Sequence, residues 1–60
     1  MSKQAVDSVF QVLFLLTDIR EILRETAPLH ELDAEQKEKV NRTLANAEEQ
    51  LRSIRKELVG

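Results

Sequence analysis

Val9-Phe10-Gln11-Val12-Leu13-Phe14-Leu15-Leu16 places seven apolar side chains in eight positions, the densest such run in a chain of 60 residues. Whatever covers this run decides the architecture. Asp7, Asp18 and Arg20 bracket it, and it falls well short of the roughly 20 residues needed to cross a bilayer, so no membrane span is expected. Thr17-Asp18-Ile19-Arg20 follows where a signal peptide would carry a small-residue cleavage site, which argues against a leader as well.

Working outward, no Gly or Pro interrupts the chain from Lys3 to Thr26, and apolar residues recur at Ala5, Val9, Val12, Leu16, Ile19 and Leu23. That alternating spacing of four and three predicts a helix over residues 3–26 with these six as its seam, Ser2 as its N-cap and Asp7 near its positive end. Projected around the axis, Val6 and Leu13 flank the seam on one side and Leu15 and Ile22 on the other, with Phe10 and Phe14 further round beyond Val6 and Leu13. Only Asp7, Gln11 and Asp18 define a polar strip in the first five turns, which is more apolar surface than one neighbouring helix covers.

Pro28 disfavours helical geometry at Ala27 and ends the first helix, and Leu29 and Leu32 are expected to tuck back over the turn as an apolar plug. Asp33 with Gln36 three positions on is a capping-box arrangement, which starts a second helix over residues 34–58. Val40, Leu44, Ala47, Leu51, Ile54 and Leu58 form its predicted seam, and almost every other position is polar. Glu35-Lys39, Glu38-Arg42 and Glu48-Arg52 are expected as supporting pairs, and Arg52, Arg55 and Lys56 suit the negative helix end.

The contrast between a wide apolar arc and a narrow one carries the architectural reading. A short turn between two long helices favours an antiparallel hairpin with arms about 36 Å long at about 1.5 Å per residue. Sixty residues make one small domain, 1–60, and such a chain usually needs a disulfide, a metal or a partner to stabilise it. With no cysteine in the chain, disulfides and thiolate metal sites are excluded as that support. The fold class expected is all-α, an antiparallel helix-turn-helix hairpin dimerising into a four-helix bundle. The surface left for a second molecule is Val6, Phe10, Leu13 and Phe14, with Leu16 as the seam residue whose loss should abolish folding or association.

Met1-Ser2-Lys3-Gln4 and Glu31-Leu32-Asp33-Ala34-Glu35-Gln36, together with the chain length and helix layout, resemble Rop, the helical-hairpin dimers that help two RNA stem-loops pair. The resemblance implies a four-helix dimer. It also supplies an alternative function, RNA binding, because the family contacts RNA through a polar and basic strip of helix 1 with a central Phe. With the amino termini aligned, Phe14 matches that Phe, while the other contact positions fall on Phe10, Asp18 and Glu25. Aligning instead through Glu31-Leu32-Asp33-Ala34 loses the Phe as well, so the resemblance speaks more for architecture than for RNA.

The formal net charge is -2, and neither half is basic, with 3 cations and 4 anions in residues 1–30 and 6 and 7 in residues 31–60. That balance argues against nucleic acid and anionic membranes as partners. His30 lies beside Glu31 and Asp33, but a metal site needs three or four convergent ligands, and a lone turn histidine is ordinarily solvated. No hydroxyl has a recognisable base, and Gly60 as the sole glycine rules out a phosphate-cradling loop, so no catalytic residue, cofactor or metal is expected. The Glu residues of the second helix are interleaved with Lys and Arg as a solvated face. Phe10 and Phe14, at i and i+4, read either as a buried layer of the homodimer or as an aromatic anchor for another protein. The sequence therefore points to a non-enzymatic, cytoplasmic interaction or regulatory protein that pairs with itself and binds and modulates a partner protein.

Overall fold

The computed structural model describes residues 3–60, so Met1 and the Ser2 N-cap lie outside the described residues. Two helices account for nearly all of it, α1 (Lys3–Glu25) and α2 (Ala34–Val59), and they pack against one another as a hairpin with extents of 40 × 16 × 13 Å. Among the described residues there is no strand, and no helix is long and apolar enough to cross a membrane.

The close of α1 is built from hydrogen bonds that take up its last carbonyls. Thr26 N–H and Thr26 Oγ1 both donate to the Ile22 carbonyl, at 3.1 and 2.9 Å, and Ala27 N–H donates to that of Arg24 at 3.4 Å. His30 then turns back. Its backbone takes a left-handed φ of 54°, its N–H donates to the Thr26 carbonyl at 2.8 Å, and its Nδ1 lies 3.0 Å from the Leu23 carbonyl. His30 thus caps the negative end of α1, through its backbone N–H at Thr26 and its imidazole at Leu23, a role the sequence reading did not assign to it. With the chain anchored there, Leu29 is thrown outward and is exposed, and only Leu32 is half-buried, so the expected two-leucine plug forms only in part.

The start of α2 follows the sequence expectation. Asp33 is the N-cap; its Oδ1 accepts from Gln36 N–H at 2.8 Å, and Gln36 Oε1 accepts from Asp33 N–H at 3.0 Å. At the far end Gly60, with φ of 83°, donates its N–H to the Lys56 carbonyl at 3.1 Å, the left-handed closure that glycine adopts without a Cβ clash. The expected i,i+4 ion pairs of α2 are not among the contacts formed. Arg24 Nη1 sits 3.8 Å from Glu21 Oε1 on α1 instead, both side chains being exposed. Exposed pairs of this kind are worth little, and their geometry is not strongly selected.

The seam is rotated relative to the one expected. Ala5, Ser8, Val12 and Ile22 of α1 and Ala47 of α2 are buried, and the half-buried positions Leu15, Ile19, Gln36, Val40, Thr43, Gln50 and Ile54 continue the same two stripes. Val9, Leu16, Leu23, Leu44, Leu51 and Leu58 do not close the seam; they stand beside it, each roughly half exposed. Every second seam position has shifted by one residue, a rotation of each helix by about 50°. The small residues Ala5, Ser8, Thr43 and Ala47 share this seam with Val12, Leu15, Ile19, Ile22, Val40 and Ile54, and small side chains let two helix axes come close where they lie. The Thr43 hydroxyl stays satisfied there, donating to the Lys39 carbonyl at 2.8 Å, so its methyl group is free to pack. Among the described residues no buried side-chain polar atom lacks a partner.

Asp33→Ala removes the carboxylate that accepts from Gln36 N–H, one of the two bonds of the capping box, and is expected to cost about 1 kcal/mol. Urea unfolding followed by circular dichroism measures it, and Glu31→Ala, outside the box, should shift the midpoint far less.

Candidate interaction surface

The rotated seam sorts the remaining side chains of the hairpin onto two opposite faces. With the helices antiparallel, Ile22 lies by Gln36 and Leu15 by Thr43 along the seam. One position further round on each helix brings Leu16 level with Leu44, and Val9 level with Leu51, on one common face, with Leu23 and Leu58 at its two ends. Val6 and Leu13, with Arg20 in the same row, extend this face around the outer side of α1, whereas the equivalent outer row of α2 carries Asn41, Glu48 and Arg55.

The opposite face is polar. An open groove at the turn end is lined by Asp18, Glu21, Ile22, Glu25, Glu35, Gln36 and Lys39, and a second lies alongside Leu15, Lys39, Arg42, Thr43 and Asn46. Its charged side chains are all exposed and thus hydrated. Among the described residues no group of three or more His, Asp or Glu side chains is placed to hold a metal ion. The imidazole of His30 is engaged with the Leu23 carbonyl at the end of α1.

The five residues expected to meet a second molecule are brought together only in part. Leu13 and Leu16 are 54% and 46% exposed and belong to the leucine face, with half-buried Val6 beside them. Phe10 and Phe14, 57% and 70% exposed, lie further round. By heptad position Phe10 points directly away from α2, in the row of Lys3, Thr17 and Arg24, and Phe14 occupies the row of Asp7 and Glu21. Sequence reasoning missed that Val9, Leu23, Leu44, Leu51 and Leu58 also stand open, because it had placed them in the seam. Ala5, Val12 and Ile19 belong to both possible stripes of α1, so the spacing carries no signal that separates them.

Comparison with models of known families, with curated proteins and with solved structures finds no match to this chain.

The division between seam and open surface is testable by substitution. Ile22→Ala, in the seam, is expected to lower stability by about 2–3 kcal/mol through lost packing. Phe14→Ser, on the outer surface, should change it by no more than about 0.5 kcal/mol. Thermal and urea denaturation of the two variants at one protein concentration give the comparison.

Proposed function

We propose that the chain is a non-enzymatic interaction protein of the cytoplasm, a homodimeric helical hairpin that binds and modulates another protein. The observation that carries this reading is the extent of open apolar surface. Eleven large hydrophobic side chains are exposed, and no side chain larger than isoleucine is buried among the described residues. Isolated exposed leucines are ordinary, but a contiguous face of them along both helices is a surface built for association. The reading gives the hairpin two apolar surfaces with two uses, the leucine face for self-association and the Phe10–Phe14 ridge for a second protein.

The RNA-binding alternative draws support from the exposed position of Phe14. Against it, the row that carries Phe14 holds Asp7 and Glu21, and the row next to it holds Gln11, Asp18 and Glu25. A phosphate backbone is repelled by such a strip. The protein reading is therefore preferred.

Sedimentation equilibrium tests the self-association. The wild-type chain is expected to be dimeric at micromolar concentration, Leu16→Asp to be monomeric or unfolded, and Glu49→Ala to behave as wild type; a stably folded wild-type monomer overturns this part. Affinity capture from the native cell tests the rest. A protein retained by the wild type and lost with Phe10→Ser/Phe14→Ser supports the reading, whereas salt-sensitive binding to paired RNA stem-loops in a gel shift would favour the alternative.

A further inference from the structure

We infer that the outer side of α1, from the Phe10–Phe14 ridge to the carboxylates beyond it, docks a basic segment of a partner protein. That segment carries apolar side chains toward one end and lysine or arginine toward the other. The inference rests on the partner-binding reading above and adds the chemistry of the partner.

The aromatic pair and the carboxylates form one stripe. Phe10, Phe14, Asp18, Glu21 and Glu25 follow one another at steps of four, four, three and four residues, the spacing that keeps neighbours on one side of a helix. All five are exposed, and the stripe runs for about 22 Å at about 1.5 Å per residue.

At its far end the stripe opens onto the groove between the helices. Asp18, Glu21 and Glu25 of α1 and Glu35 of α2 line this groove beside Ile22, and Lys39 is the one cation of the lining. Four carboxylates and one ammonium carry a formal charge of -3, against -2 for the entire chain, so the negative charge of the protein is concentrated here. Among the described residues only Glu21 of these four is in an ion pair, with Arg24 at 3.8 Å. Asp18, Glu25 and Glu35 are left open to cations of another molecule.

Charge and apolar surface together select the occupant. The phosphates of a nucleic acid or of an anionic membrane are repelled by carboxylates one turn from Phe14. A free polyamine would meet the carboxylates and leave the rings bare. A basic protein segment answers both: apolar side chains cover the rings, while lysine or arginine enters the groove with its alkyl stem along Ile22 and its charged head among the carboxylates. Exposed ion pairs add little affinity each, so the ridge supplies most of the binding and the carboxylates choose the partner.

Fluorescence anisotropy with the full chain tests this. The probe is a labelled, alanine-rich peptide of about 16 residues, which as a helix matches the stripe in length. It carries two leucines one turn apart in one half and three arginines at helical spacing in the other. It is expected to bind at least about tenfold more tightly than the same peptide with glutamates in place of the arginines. Phe10→Ser/Phe14→Ser should weaken it by about tenfold or more. Asp18→Asn/Glu21→Gln/Glu25→Gln should weaken it by about tenfold and flatten its salt dependence, whereas Glu48→Gln on α2 leaves it unchanged. All of these positions are exposed, so the hairpin tolerates the changes.

Equal affinity for the arginine and glutamate peptides overturns the inference, as does arginine-peptide binding that is indifferent to either set of substitutions. Binding through Phe10 and Phe14 to phosphatidylcholine vesicles or to paired RNA stem-loops, with none to the peptide, also overturns it. So does loss of the sedimenting dimer in Phe10→Ser/Phe14→Ser, which would assign the ridge to a second copy. A captured protein that depends on Phe10 and Phe14 but not on the carboxylates overturns the basic chemistry and leaves the partner-binding reading standing. Capture of nothing that depends on the ridge removes both.

Discussion

The closest approach of the two helices is the constraint from which the rest follows. Ala5 and Ser8 on α1 and Thr43 and Ala47 on α2 lie along that line, where side-chain bulk sets how near two axes come. With Ser8 and Thr43 in the seam in place of Val9 and Leu44, the residues Val9, Leu16, Leu44 and Leu51 are turned onto one face, where they stand roughly half exposed. A seam of leucines would have made a thicker two-helix core and a narrower exposed face.

The ends of the hairpin are settled by hydrogen bonds and not by apolar burial. The Asp33–Gln36 box starts α2, and Thr26 and His30 close α1, so the turn is held by capping on both sides while Leu29 remains in solvent. This division of labour makes the direction of the chain at the turn a local property of a few polar groups. The apolar residues elsewhere are then free to serve packing between helices and association between molecules.

Much of the architecture was legible because the relevant signals are local. Pro28 and the Asp33-Ala34-Glu35-Gln36 segment act within one turn of helix, and both helix boundaries they imply lie within one residue of those found. The rotation of the seam was not legible, for a physical reason. Ala5, Val12 and Ile19 belong equally to the stripe through Val9 and Leu16 and to the stripe through Ser8 and Leu15, so spacing alone cannot choose between them. Hydrophobicity favours the first stripe and steric fit the second, and fit depends on what faces it. The same ambiguity blurred the surface reading: Leu13 was recognised as surplus, whereas Val9 and the leucines of α2 were assigned to the interior. His30 was read as a solvated turn residue because its capping role depends on a left-handed backbone that the sequence does not signal.

A seam of this kind inverts the usual relation between side-chain size and tolerance of change. In most cores the large residues are the ones that cannot be altered, since removing them leaves a cavity. Here the most enclosed side chains are two alanines, Ala5 at 1% and Ala47 at 3% exposure. An added methylene at either position would press on the facing helix, because overpacking at an enclosed contact has little empty space to expand into. Two of the smallest side chains of the hairpin, Ala5 and Ala47, are therefore among its least replaceable.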